Sequence, residues 1–276
     1  MSVNMLGIPE EKGGIKKLFI ADEGCVLGEG DQGAFELRVL GAVSNDLNMI
    51  RDLSGGKDFH GEVRNRLFGR GTDKANYNHQ EVLDAKTLVF GPPYGRGSPS
   101  IARQFAKGDW DAMTREEQST KIREAQRWLD ITWGPYGRAL KYMQERIQEV
   151  HDTGEVRSYY GRKRHWGLIT EANVASVEHE ARNYNIQSTA NDTNLLVMLE
   201  IYNTFPHDLV MPLLPIHDSI LMRLREDKVA ELVPQIEKIG TDLPQKLLNT
   251  TMSFKFDIEI GESWGEMVPW KDWIGA

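Results

Sequence analysis

Polar and apolar residues alternate without a break from Met252 to Ile260, with Met252, Phe254, Phe256, Ile258 and Ile260 on one side and Ser253, Lys255, Asp257 and Glu259 on the other. A period of two predicts a strand with one buried and one wet face. Residues 209–225 predict two further strands about a tight turn at His217-Asp218. Pro212 and Pro215 cannot donate to a ladder and place the first of these near a sheet edge. Between these strands Val229, Leu232, Val233, Ile236 and Ile239 recur at helical spacing, with Asp227 as the expected N-cap and Pro234 expected to kink or divide the helix. Upstream, Thr114-Arg115-Glu116-Glu117 has the form of a capping box, and Leu140, Met143, Ile147 and Val150 make the buried stripe of a helix that stops at Gly154. The polar, glycine-bearing stretch from Gly69 to Asn78 predicts a loop joining two helical regions. Strands near both ends with helices between them predict an α+β fold, an antiparallel sheet interrupted by a mainly helical insertion.

Composition narrows the class without naming a function. At 276 residues the chain is long enough for one large domain or two, and 40% hydrophobic with 27% charged residues is a globular balance. No stretch approaches the ~20 apolar residues of a membrane span. The first ten residues lack a secretion signal and the single Cys25 excludes an internal disulfide, which together predict a reducing, cytoplasmic setting. A net charge of −8 excludes the global basic footprint of many nucleic-acid binders, so any such contact must be local. The local candidate is Arg157, Arg162, Lys163, Arg164 and His165, interleaved with Tyr159, Tyr160 and Trp166, a mixture suited to phosphates and stacked bases.

The chemistry rests on two acids far apart in sequence. Asp218 follows His217 at the hairpin turn, and Asp31 stands at a second strand end, in Leu27-Gly28-Glu29-Gly30-Asp31-Gln32-Gly33-Ala34-Phe35-Glu36-Leu37-Arg38. A pair of aspartates holding two divalent ions is what an in-line phosphoryl transfer needs. Lys86, Phe90 and Tyr94, at i, i+4 and i+8, would share one face of a regular helix, although Pro92-Pro93 is expected to break it after about Gly91. Asn183 and Gln187, at i and i+4, place two amides on one helical face, where they can meet minor-groove acceptors without strong sequence preference. His179 lies one turn earlier.

In chain order the four segments, those of Asp31, Lys86, Asn183 and His217-Asp218, resemble those of the A-family DNA polymerases, the group of bacterial DNA polymerase I and the podophage replicative enzymes, over nearly the whole chain. The resemblance implies a polymerase palm with a fingers insertion, at residues 1–55 (palm), 56–150 (fingers) and 151–276 (palm). It implies Asp31 and Asp218 as ligands of two Mg²⁺, with Glu36 excluding a ribose 2′-hydroxyl. Lys86 would meet the triphosphate, and the Phe90 and Tyr94 rings the sugar and base. Gly56-Lys57-Asp58-Phe59-His60 is similar to the family's Lys-Asp-Ile-His, which gives His60 a phosphate-binding role. His179, Asn183, Gln187 and His217, with Arg162, Lys163 and Arg164 of the basic turn, would contact primer-template DNA. The implied substrates are that DNA and a dNTP.

The departures are Val82 in place of an arginine before Lys86, and Ser219 in place of the carboxylate that follows Asp218, which is expected to leave a third acid absent. The beginning of the chain just before the palm implies a split polymerase, as in some phages, whose thumb and exonuclease come from a protein partner in the bacterial cytoplasm. Competing expectations are a catalytically degenerate polymerase-like DNA-binding or accessory subunit and, from the doublets His151-Asp152, His207-Asp208 and His217-Asp218, a helical metal phosphohydrolase.

Overall fold

The computed structural model describes residues 14–55, 59–69, 71 and 78–275. In chain order the first elements are β1 (Cys25–Gln32), α1 (Phe35–Ser44), α2 (Leu47–Ser54), α3 (Phe59–Phe68), α4 (His79–Phe90), α5 (Ser98–Ala106), α6 (Arg115–Trp133) and α7 (Gly137–Thr153). There follow β2 (Glu155–Arg157), β3 (Lys163–His165), α8 (Val174–Thr204), β4 (Val210–Ile216), β5 (Ser219–Arg225), α9 (Val229–Leu247), β6 (Phe256–Gly261), β7 (Val268–Pro269) and α10 (Trp270–Ile274). The chain divides into two compact units, Met1–Val39 with Ser188–Ala276, and Leu40–Gln187. The second unit is wider than the 56–150 insertion read from the sequence, because its limits fall inside α1 and α8.

The first unit is built on an antiparallel sheet in the order β4-β5-β1-β6-β7, with proline-bearing β4 at an edge as its missing donors require. Val26, Ile220, Met222, Leu224, Phe256, Ile258 and Ile260 form one buried cluster with Val229, Leu232, Val233 and Ile236 of α9 and Val197 and Ile201 of α8. Burying each such side chain contributes about 1.5–3 kcal/mol. Gly30 lies under the Phe256 ring so closely that a Cβ there would come within 2.3 Å of it, and Gly240 of α9 meets the same ring at 2.3 Å. Leu27 joins a smaller cluster with Leu221 and Trp264, and Glu29 and Asp31 follow it at the strand's period of two.

In this unit three local expectations change. The strand begins at Phe256 rather than Met252 because its ladder with β1 ends at Gln32↔Phe256. The preceding carbonyls go elsewhere, that of Ser253 to the Arg38 guanidinium at 2.6 Å and that of Lys255 to the Gly33 N–H at 3.0 Å. Met252 and Phe254 stay buried, so the alternation was a true record of burial but not of pairing. Asp227 pairs with Arg225 at 3.3 Å instead of capping α9. Finally, α9 runs unbroken through Pro234: proline and Ala230 are both exposed, so the carbonyl that loses its amide partner faces water.

Among the described residues the regular elements of the second unit are helices apart from the β2–β3 hairpin. The capping box opens α6 as expected, with Thr114 N–H donating to Glu117 at 2.7 Å and Glu117 N–H to the Thr114 hydroxyl at 3.3 Å. Buried Asp46 caps α2 through Met49 N–H at 3.0 Å, while its other oxygen accepts the amides of Arg138 and Ala139 at the start of α7. Gly154 ends α7 in the left-handed region at φ +72°. Leu140 is not part of the buried stripe: Ala139, Tyr142, Met143, Ile147 and Val150 face inward, and the Tyr142 hydroxyl reaches Asn185 of α8 at 2.5 Å.

Candidate functional site

In the first unit the ladder itself brings the two distant acids together. β1 pairs with β5 so that Asp31 stands opposite Ser219, and the residue before Ser219 is Asp218. His217 adopts φ +55° to close the two-residue turn, and the Asp218 carbonyl accepts the Gln32 N–H at 3.1 Å, tying the turn to the end of β1. The His217 Nδ1 lies 3.1 Å from Asp218 Oδ1. Partial desolvation by its neighbours, then the charges of Asp218, Glu29, Asp257 and Glu259, push the Asp31 carboxyl up to about 6. Asp31 lies at an exposed strand end, so solvent screens part of this repulsion.

The donor set fits a divalent cation: hard carboxylate oxygens, mutually repelling and open on one side, suit Mg²⁺, which retains positions for water and substrate phosphates. Among the described residues no group of three or more His, Cys, Asp and Glu side chains forms a closed cage. The His217-Asp218 doublet lies on a strand turn rather than on the helix that a helical metal phosphohydrolase would need.

Two residues at this site were not singled out from sequence. Glu29 accepts the Ser219 hydroxyl at 2.6 Å on one oxygen and the Trp264 indole N–H at 2.8 Å on the other. Its signal was the strand period, two residues before Asp31. Buried Asn194 of α8 brackets the turn, its Nδ2 3.3 Å from the carbonyls of His217 and Ser219. It lies two helical turns beyond Gln187, on the face that the amide spacing already marked. Glu36 sits buried in the first turn of α1.

In the second unit α4 carries Lys86 and Phe90 but ends there, and Tyr94 lies in the turn that Pro92-Pro93 imposes, so the three do not share a helical face. Lys86 is exposed, and the Phe90 ring lies 5.5 Å from that of His60 on α3. Lys57 and Asp58 of the same motif lie outside the described residues. The Tyr94 hydroxyl accepts Gln187 Nε2 at 3.1 Å. Gly95, at φ +74°, lies against His179 so closely that a Cβ would be 2.4 Å from the imidazole.

Tyr94, His179, Asn183, Gln187 and Arg164 therefore line one cleft of about 320 Å³, with Trp166, Glu180 and Tyr184. Asn183 is buried and its Oδ1 has no hydrogen-bond partner among the described residues, an acceptor left available. The basic turn is the β2–β3 hairpin, and most of its charge is matched: Arg164 pairs with Glu180 at 2.6 Å and lies 5.4 Å from the Trp166 ring, while Lys163 pairs with Glu155 at 3.5 Å. Arg162 is exposed at the hairpin. Exposed pairs of this kind are each worth about 0–1 kcal/mol, so phosphates can displace them.

A family model for DNA polymerase family A matches residues 2–266. The chain is 26% identical to DNA polymerase I of Chloroflexus aurantiacus, over 96% of this chain and 27% of the relative. It is 26% identical to the thermostable DNA polymerase I of Thermus aquaticus, over 91% and 28%, and 27% identical to the DNA polymerase of Mycobacterium phage D29, over 94% and 38%. The chain thus spans less than two-fifths of the length of these relatives. Its fold matches the POL domain of Pol1 from M. smegmatis, a structure in complex with DNA primer-template and dNTP, with TM-score 0.79 and 20% identity over 95% of this chain and 45% of that one. Among the described residues no helix is long and apolar enough to cross a membrane.

Proposed function

Since the chain belongs to DNA polymerase family A, we propose that it carries the palm and fingers of a DNA-directed DNA polymerase and adds deoxynucleotides to a primer 3′-hydroxyl. The palm corresponds to the unit that holds the sheet and the fingers to the helical unit. The observation that carries the reading is the β1–β5 register, which sets Asp31 beside the turn of Asp218. These two carboxylates would hold two Mg²⁺, which when bound lower the pKa of the attacking hydroxyl and neutralise charge on the transferring phosphate.

In the reaction the 3′-hydroxyl oxygen bonds to the α-phosphorus as the bond to pyrophosphate breaks. Lys86 and His60 stabilise the triphosphate and the departing pyrophosphate. Phe90 and Tyr94 present rings to sugar and base, and Glu36, held in its buried turn, disfavours a 2′-hydroxyl. Asn183, Gln187, His179 and His217 contact the primer-template duplex, and Arg162, Lys163 and Arg164 exchange their ion pairs for backbone phosphates. Primer extension by the purified chain with Mg²⁺ tests the reading. Extension abolished by Asp218→Ala supports it, whereas DNA binding with no extension under any divalent ion would leave the non-catalytic accessory subunit, to which Val82, Ser219, Ala34 and Pro92-Pro93 point.

A further inference from the structure

We propose that Glu29 is a positioning residue of the metal site, a carboxylate delivered from β1 to the place where the hairpin offers only Ser219. The proposal rests on the reading of Asp31 and Asp218 as the cation-holding pair. β1 pairs Asp31 with Ser219 and Glu29 with Leu221, and the period of two puts Glu29 on the same strand face as Asp31. The Ser219 side chain is buried and carries no negative charge, and its hydroxyl donates to Glu29 at 2.6 Å, which ties the residue after Asp218 to a carboxylate. The Trp264 indole N–H fixes the second Glu29 oxygen at 2.8 Å, and that ring is itself buried and backed by Leu27 and Leu221. Glu29 is thus held at both oxygens by donors with little freedom.

The position also argues for a purpose. Across the β1–β6 ladder Glu29 faces Glu259, as Asp31 faces Asp257, so the strand concentrates negative charge along one edge of the site. Lys16 and Lys17 line the same recess as Glu29, but Lys17 is paired to Glu266 and Lys16 lies 4.6 Å from the Trp264 ring. A carboxylate clamped to Ser219 does two things at once. It sets the residue next to Asp218, and so the turn, and it adds attraction for cations held by the aspartates. The acid that the hairpin lacks is in this way replaced from the neighbouring strand.

The test is Mn²⁺ binding to the whole chain, read by the loss of the free-ion EPR signal and needing no polymerisation. Glu29→Gln keeps an oxygen for Ser219 and removes the charge. It is expected to weaken Mn²⁺ binding on the order of 10-fold, with a lowered thermal midpoint because its amide NH₂ then meets the Trp264 indole N–H. Glu29→Gln combined with Ser219→Glu, which moves the carboxylate across the ladder, is expected to recover most of that loss. Ser219→Ala, which leaves the charge but frees it, guards against a folding defect in the first variant and should give a smaller loss. Glu29→Gln and Ser219→Ala binding Mn²⁺ as tightly as the wild type, while Asp31→Asn and Asp218→Asn do not, would overturn this inference and leave the paired-aspartate reading intact. Wild-type binding indifferent to Asp31→Asn and Asp218→Asn would overturn both.

Discussion

The acids of the sheet and the cleft of the helical unit are held in place by different means. Asp31 and Asp218 are set by backbone ladder bonds, and register is quantised: a strand shifted by one residue turns its side chains to the other face. The cleft is set by side chains meeting side chains, Gln187 on Tyr94, Arg164 on Glu180, and a glycine pressed on His179. A site on a ladder is correct or absent, while a site of exposed side-chain contacts weakens by degrees.

That contrast fails at once if Asp218→Ala behaves like a cleft mutation. Loss of one of the two carboxylates proposed to hold the charge-neutralising Mg²⁺ should lower primer extension roughly 10³-fold, with folding unchanged by circular dichroism. Next in size is Gly30→Ala, which places a methyl 2.3 Å from the Phe256 ring. It should destabilise the protein by about 1–3 kcal/mol in urea unfolding, and a neutral result would show that Phe256 is free to move. Gln187→Ala, on the side-chain-built cleft, should weaken primer-template binding only about fivefold by fluorescence anisotropy, the worth of one hydrogen bond of ~1 kcal/mol. A loss a hundred times greater would place the cleft with the ladder.

The smallest effect separates the two regions by pH. The folded Asp31 carboxyl is raised from 3.8 to about 6, so the fold favours its protonated form. The stability it contributes is complete below about pH 3.8 and is lost as pH rises through about 6. Asp31→Asn should therefore raise the thermal midpoint of the metal-free protein at pH 7.5 and leave it little changed at pH 4. Added Mg²⁺ should do the same for the wild type at pH 7.5. Because Asp31 is exposed, the shift is expected to be a few degrees at most.

Much of the fold was legible because its signals are local. The Thr114 capping box, the Gly154 stop, the His217-Asp218 turn and the edge placement of proline-bearing β4 each depend on a few neighbouring residues and elementary sterics. Pro234 was misleading because its cost depends on whether the carbonyl at Ala230 reaches water, which is decided by which side of α9 is packed. Tyr94 left the helical face for a reason already visible in Pro92-Pro93, yet its partner Gln187 could be found only in the folded chain. Glu29 and Asn194 had only faint signals, a strand period and a helical repeat, until the residues they hold were beside them.

The amino-acid order alone therefore determined the burial alternation from Met252 to Ile260, the Thr114 start and the Gly154 stop, and that Asp31 and Asp218 stand at strand ends, but not where β6 begins, whether Leu140 is buried or whether α9 breaks at Pro234. Periodicity and capping are properties of short segments, and burial of one face follows from them. Which strands become neighbours, and in what register, was decided only by the folded structure. Pairing β1 between β5 and β6 depends on fitting Phe256 between Gly30 and Gly240, contacts among residues far apart in the chain whose free energy no local segment carries.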